Sequence, residues 1–445
     1  MSFLPYDMYA DRIDRVNTIK QFGKVTQVVG LVIESAGPAV SIGRLCNIEN
    51  FDGSSRVQAE VVGFRDDRLL LMPHGSISGI TPGAIVTSAA DQLRIPVGSS
   101  LIGRVLGGLG RPIDGKGPLT AATTRPVSVD PIPVLNRRRI EKPIRTGIKV
   151  IDAMAALGQG QRMGIFAGSG VGKSVMLGMI ARNSSADVNV VALIGERGRE
   201  VKEFIERDLG PEGLKRSVVV AVSSDQPALV RIKGAMVATT IAEYFRDQGK
   251  NVMLLMDSVT RVAMAQREIG LAVGEPPATK GYTPSVFALL PSLLERAGST
   301  PRGSITGLYT VLVEADDLNE PISDAVRSIL DGHVALSRRL AALNQYPAVD
   351  MLDSISRLMK EISTEEEQKM AGRIRELIAT YREAEDLINI GAYVKGSNPK
   401  IDLAIEKHEA INELFLQGIT ETVPHEDLRQ QMRQVLGTQV KHEKV

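Results

Sequence analysis

The 445-residue sequence predicts an α/β fold, a parallel sheet covered by helices, with a small β domain before it and a helical domain after it. Three observations predict this. In the middle of the chain, short apolar runs rich in branched residues alternate with helical segments. Before them come short strand-like segments at regular spacing. After about Leu352 the strand signals fade, and helical periodicity with Glu, Lys and Arg faces takes over.

Taken in order, Asp7 to Lys20 places Tyr9, Ile13 and Val16 at helical spacing, with Ile19 close to the same stripe. Its charges cancel, so it lacks the basic face of a membrane-surface helix. Read from the residues alone, it packs on its own β domain. From Gly23 to about Ile95 the chain reads as short strands: Lys24–Ile33, a Gly37-Pro38 turn, Gln58–Phe64, an Arg65–Arg68 turn, and Leu69–Met72. This pattern fits a small barrel or sandwich. The Gly/Pro-rich stretch from Gly103 to Pro133 reads as a structural linker, since Ile113 stands where a dinucleotide fingerprint needs its last Gly. Core strands are expected at Met163–Ala167, Val188–Ile194, Ser217–Val222, Asn251–Met256 and Leu308–Val313, with a crossover helix from Pro227 to Gln248. The resulting division is an N-terminal helix over 1–22, a β-barrel domain over 23–95, the α/β core over 96–351 and a helical domain over 352–445.

Formal net charge is +1, from 53 basic and 52 acidic side chains, so no basic excess marks a phosphate-tracking surface for nucleic acid. Aromatics are 4% of the chain and Trp is absent, which leaves few platforms for stacking bases. Cys46 is the only cysteine, which excludes an intrachain disulfide and fits a reducing compartment. The five histidines show no metal-ligand spacing. With no apolar signal core and no long apolar run, the expectation is a cytoplasmic protein.

The chemistry concentrates in Ala167-Gly168-Ser169-Gly170-Val171-Gly172-Lys173-Ser174, which follows a strand and opens the apolar helical run Val175–Ala181. This is the context a phosphate-binding loop requires: backbone N–H groups converge on phosphates at a helix N-terminus, and glycines permit close approach. Lys173 would neutralise the β/γ end and the Ser174 hydroxyl would ligate Mg²⁺. Ala167 replaces the usual first glycine, which is tolerable if that position needs no positive φ. Glu196 and Arg197 sit in Gly195-Glu-Arg-Gly-Arg-Glu200, directly after a strand. There Glu196 is placed to polarise an attacking water, while Arg197 meets the γ-phosphate or helps hold Glu196. Asp257 ends the Val252–Met256 strand, where an acid holds the water shell of Mg²⁺. Read singly, the charged run is a solvated loop and the lone Asp a helix cap. Together, each at a strand end, they read as an ATP-hydrolysing site.

Arg145-Thr-Gly-Ile-Lys-Val-Ile-Asp152, GERGREVKEFIE from Gly195, LLMDSVTR from Leu254, PPATKGYTPSVFALLPSLLERAG from Pro276 and LSRRLAALNQYPAVDMLDSISR from Leu336 resemble the catalytic subunits of rotary ATP synthases. The run is more similar still to their secretion relatives, the flagellum-specific and type III secretion ATPases. That resemblance implies an N-terminal β-barrel, a RecA-like P-loop core, a C-terminal helical domain and a homohexameric ring. It also implies that Arg338 is the arginine finger reaching a neighbouring subunit's γ-phosphate, that Tyr346 stacks on adenine and that Arg261 lies near the site. Read without it, Arg338 and Arg339 are a solvated helix face and Tyr346 a core residue. The partners implied are a dimeric negative regulator at the N-terminus, a central coiled-coil stalk, membrane proteins of the export gate, and export substrates with their chaperones. The implied location is the inner face of the cytoplasmic membrane. Competing readings are an injectisome ATPase, a rotary synthase subunit and a Rho-like nucleic-acid motor, the last disfavoured by charge and by the few aromatics of the β region, Phe22, Phe51 and Phe64.

Overall fold

The structure, a computed structural model, describes residues 21–120, 123–313 and 320–437. The helix expected over residues 7–20 lies outside the described residues. The chain divides into two compact units, one running up to Leu93 and including Ile269–Glu275, the other comprising the remainder.

In the first unit, β1 (Phe22–Val29), β2 (Val32–Ala36), β3 (Leu45–Glu49), β4 (Arg56–Arg65), β5 (Arg68–Pro73) and β6 (Ile85–Ala90) close into a barrel ordered β1-β2-β5-β4-β3-β6. Alternate residues point inward, and Val25, Ile33, Cys46, Ile48, Ala59, Val61, Leu71 and Val86 fill the interior. Register shifts between Val25 and Gln27 and between Val61 and Gly63 supply curvature for closure. One expected strand proves to be two. Lys24–Ile33 breaks at Gly30, whose φ of 57° makes the reversal that lets β1 and β2 pair. Apolar content alone concealed the turn.

In the second unit the chain lays down β7 (Arg94–Val97), β8 (Val105–Leu106), β9 (Thr123–Pro126), β10 (Pro143–Ile144), β11 (Leu157–Gly158), β12 (Arg162–Ala167), β13 (Val188–Glu196), β14 (Ser217–Ser223), β15 (Asn251–Asp257), β16 (Gly298–Ser299), β17 (Ser304–Leu312), β18 (Gly332–Leu336) and β19 (Val349–Ser356). The main sheet runs β19-β18-β12-β17-β15-β13-β14-β8, with β16 on β17. Its central strands are parallel and buried on both faces, as their unbroken apolar runs require. The crossover helix spans Ala228–Asp247, entered at Pro227.

The Gly/Pro-rich stretch is more than a linker, because β8 pairs with β14 at the sheet edge and β9 pairs with β7. Asp114 anchors that stretch through Arg104 at 2.7 Å, which holds its carboxyl well below the usual carboxylate range. Strand pairing also continues past Leu352, since β19 pairs antiparallel with β18 through Ser356. β18, Gly-His-Val-Ala-Leu, is too short and mixed to stand out by pattern.

The helices Glu365–Asn389, Pro399–Phe415 and His425–Leu436 end the described chain. The first begins in a capping box, Thr364 with Glu367. Their inner residues, among them Met370, Ile374, Ile411, Phe415 and Met432, belong to the same apolar core as Met163, Met176 and Val334 of the sheet region. No helix of the described residues is long and apolar enough to cross a membrane.

Candidate active site

The C-terminal edge of the parallel sheet carries the site, as it does in open α/β sheets generally. β12 ends at Ala167, the loop turns, and a helix starts at Lys173 and runs to Asn183. Ala167 is the last strand residue, in register with Leu312 and Leu336, and has no positive φ, so the missing glycine costs nothing there. Gly170 and Gly172 do need glycine, with φ of 80° and 83°. The apolar face of the loop helix (Met176, Leu177, Met179, Ile180) is buried and fixes its N-terminus at the edge of the sheet.

Around the loop lies a cavity of about 810 Å³ lined by Gly168, Ser169, Gly170, Gly172, Lys173, Ser174, Glu196, Arg197, Glu200, Arg261 and Arg338, among others. Lys173 Nζ donates to Asp257 Oδ1 and sits 4.0 Å from Glu196 Oε1. Thr310 Oγ1 of β17 donates to the same Asp257 oxygen at 2.7 Å. The two carboxylates converge on the lysine from adjacent strands: β15 ends at Asp257, opposite Leu193, and β13 runs on to Glu196.

Glu196 is the perturbed group. Burial, and then the negative charge of Asp257, push its carboxyl up to about 7, against the opposing pull of Lys173 and Arg261. Its Oε1 and the Arg261 Nε are both buried without a hydrogen-bond partner among the described residues. An acceptor and a donor left unsatisfied in one cavity suit an arriving water and an anionic oxygen. The residues also fit a nucleotide-borne Mg²⁺. Ser174 is exposed in the cavity, the buried Asp257 stands behind it paired with Lys173, and no group of three or more His, Cys, Asp or Glu among the described residues forms a separate metal cage.

Arg197 does not pair with Glu196. Its side chain is exposed and meets Glu200 Oε1 at 3.6 Å. The place beside Glu196 is taken by Arg261, whose Cβ and Cγ pack on Gly195; φ there is 73°, and an added Cβ would come within 2.8 Å of Arg261. Arg338 follows β18 and lies over the loop of its own chain, so close that a Cβ on Gly168 would meet its Nε at 2.6 Å.

Tyr346 borders a second, more apolar cavity of about 300 Å³ beside the loop, with Val171, Val175, Met176, Pro347, Gln417 and Ile419. Its ring edge would lie 3.3 Å from a Cβ on Gly172. Gln417 carried no signal in the sequence. Its amide accepts from Lys149 N at 2.9 Å and donates to Gly147 O at 2.8 Å, while its backbone N–H donates to Tyr346 O at 3.0 Å. Gln417 therefore ties the helical domain to the aromatic wall. Gln417→Ala should lower stability by roughly 1–3 kcal/mol through the buried groups left unpaired. It should also raise KM for ATP more than it lowers kcat, which thermal unfolding and steady-state kinetics would measure.

The sheet, the loop and the paired carboxylates define a P-loop nucleoside triphosphate hydrolase. Residues 147–356 match the ATP synthase alpha/beta family, nucleotide-binding domain, residues 25–89 its beta-barrel domain, and residues 363–434 the T3SS EscN ATPase C-terminal domain. The chain is 56% identical over 414 residues to the flagellum-specific ATP synthase of Bacillus subtilis, covering 92% of this chain and 94% of that protein. It is 50% identical over 408 residues to the type 3 secretion system ATPase of Xanthomonas euvesicatoria, covering 92% of each. The solved structure of the assembled ATPase EscN in complex with its central stalk EscO, from the enteropathogenic E. coli type III secretion system, superposes with a TM-score of 0.86 at 44% identity, covering 93% of this chain and all of that one. The chain belongs to the ATP synthase alpha/beta family, among its flagellum-specific and type III secretion ATPases.

Proposed function

We propose that this chain hydrolyses Mg·ATP to drive flagellar type III protein export, releasing export substrates and chaperones at a membrane gate. The observation that carries the chemistry is the cluster of Lys173, Glu196 and Asp257 at the end of the phosphate loop. Lys173 and the loop N–H groups hold the β/γ-phosphates, while Ser174 and Asp257 would hold Mg²⁺, which supplies charge neutralisation when bound. Glu196 orients the attacking water and takes its proton. Arg338 acts across the subunit boundary, and Tyr346 carries the adenine. The flagellar assignment is supported by the higher identity to the Bacillus subtilis flagellar relative, 56% against 50% for the Xanthomonas secretion ATPase; the injectisome is the second reading.

The working form in this reading is a homohexamer around a central coiled-coil stalk, at the inner face of the cytoplasmic membrane. The assembly and the stalk are supported by the likeness to the solved structure of assembled EscN in complex with its central stalk EscO, at 44% identity. A dimeric negative regulator binds the N-terminal segment, the gate proteins receive the cargo, and nucleic acid is not a partner. The division follows these roles: 1–22, 23–95, a core that begins at 96 and runs through β19 to Ser356, and the helical domain after it.

Glu196→Gln tests the chemistry. Nucleotide binding should persist while turnover falls by about 10²-fold or more. The native pH profile adds a second readout. The active form of Glu196 is the carboxylate, and burial pushes its carboxyl up to about 7. kcat/KM should therefore drop by about tenfold per pH unit below that point and level off above it. Equal losses of binding and turnover in the variant, or a native profile flat from pH 5 to 8, would remove Glu196 from the base role.

A further inference from the structure

β17 lies between the phosphate-loop strand β12 and the Asp257 strand β15, and its register with β15 pairs Tyr309 with Met256. Thr310 therefore stands level with Asp257, and its hydroxyl donates to Asp257 Oδ1 at 2.7 Å. The same hydroxyl lies 3.3 Å from the Met256 carbonyl, but it has one proton to give, and the nearer, charged acceptor takes it. Both residues are buried, so the bond forms where water does not compete. The end of β17 is tied down a second time: Leu312 N donates at 2.9 Å to Oγ1 of Thr260, in the helix that follows Asp257. Among the described residues Lys173 and Thr310 are the donors to Asp257, and both meet the same oxygen, Oδ1. The other oxygen, Oδ2, is left for a cation.

The geometry points to Thr310 as a positioning residue for the Mg²⁺ that arrives with the nucleotide: its hydroxyl holds Oδ1 of Asp257 while Lys173 leaves for the phosphates, so that Oδ2 stays free for the cation. This rests on the reading of Asp257 as a holder of Mg²⁺ and of Lys173 as the phosphate clamp. The Lys173 ammonium donates to Asp257 in the structure, and the β/γ-phosphates draw it away. Asp257 then keeps Thr310 as its one donor among the described residues. Without that hydroxyl, the departing lysine would leave a buried carboxylate with no hydrogen bond, which is costly. Asp257 would then hold Lys173 back from the phosphates or lose its fixed orientation toward the cation. Thr310 acts through Asp257, and removing such an outer partner typically weakens metal binding by about 10–100-fold.

The test uses the full chain with Thr310→Val, which keeps the shape but not the hydroxyl, and Thr310→Ser, which keeps the hydroxyl. Binding of a fluorescent, non-hydrolysable ATP analogue is measured in EDTA and with rising Mg²⁺. Mn²⁺ taken up by the nucleotide-loaded protein is counted by electron paramagnetic resonance. Thr310→Val should bind the analogue in EDTA as the native chain does, while its half-saturating Mg²⁺ and Mn²⁺ concentrations rise about tenfold. Its hydrolysis should be slow at limiting Mg²⁺ and recover most of the native rate at saturating Mg²⁺. Thr310→Ser should restore native metal dependence. A packing defect would weaken binding equally with and without metal, and excess Mg²⁺ would not relieve it. That pattern, native metal dependence in Thr310→Val, or a Thr310→Ser that behaves as Thr310→Val does, overturns the assignment. If Thr310→Val does not fold, Thr310→Ala carries the same measurements. Asp257→Asn separates the two readings. If it keeps native metal dependence, the reading of Asp257 fails; if it loses that dependence while Thr310→Val is native, only the role of Thr310 fails.

Discussion

Lys173→Ala should abolish ATP hydrolysis, with a loss of at least about 10³-fold in kcat/KM, because a charge clamp on a transferring phosphoryl group is removed outright. The structure adds a second reason. Lys173 is the cation between Asp257 and Glu196, donating to one and lying 4.0 Å from the other. Without it, Glu196 and Asp257 lose the cation between them, and Arg261 is the remaining positive charge acting on Glu196. Glu196 would then be held protonated to higher pH and could not act as a base near neutrality. Lys173→Arg restores the charge but not the compact ammonium, and its guanidinium should leave turnover strongly impaired. Hydrolysis by malachite-green assay, with binding measured separately by a fluorescent nucleotide, tests this; normal turnover in folded Lys173→Ala protein would remove the site assignment.

Arg338→Ala should leave nucleotide binding to a monomer nearly intact and cut hydrolysis in the assembled ring by about 10³-fold or more, the value of an arginine finger. In this chain Arg338 lies over Gly168 of its own loop and lines its own cavity. To serve a neighbour it must swing away from that loop on assembly. Mixing Arg338→Ala with Lys173→Ala subunits decides the matter. If the arginine acts in trans, mixed rings place an intact loop against an intact finger at some boundaries, and activity returns. If it acts on its own loop, every subunit is defective and mixed rings stay inactive. Specific activity should also rise with protein concentration in the native chain, as rings form. Inactive mixed rings, or flat specific activity, would assign Arg338 to its own subunit.

The sequence by itself determined the features that depend on neighbours along the chain. The strand, glycine loop and helix around Lys173 were legible because each reports on a few consecutive residues. The placement of Glu196 and Asp257 at strand ends was legible too, because an apolar run that stops at an acid marks the edge of a buried sheet. Ala167 was readable as harmless once the strand was seen to end there. The order of strands was not legible. β12 and β13 are consecutive core strands along the chain, yet β17 and β15 lie between them, and only that insertion brings Thr310 against Asp257. Arg261, not Arg197, packs beside Gly195 next to Glu196 because that glycine leaves room for it, a fact of packing between two segments rather than of either alone. Gln417 meets Lys149 across 268 residues, and nothing local to Gln417 marks it. Periodicity records which face of a segment is buried; it does not record what buries it, and the residues that complete this site are supplied by that second choice.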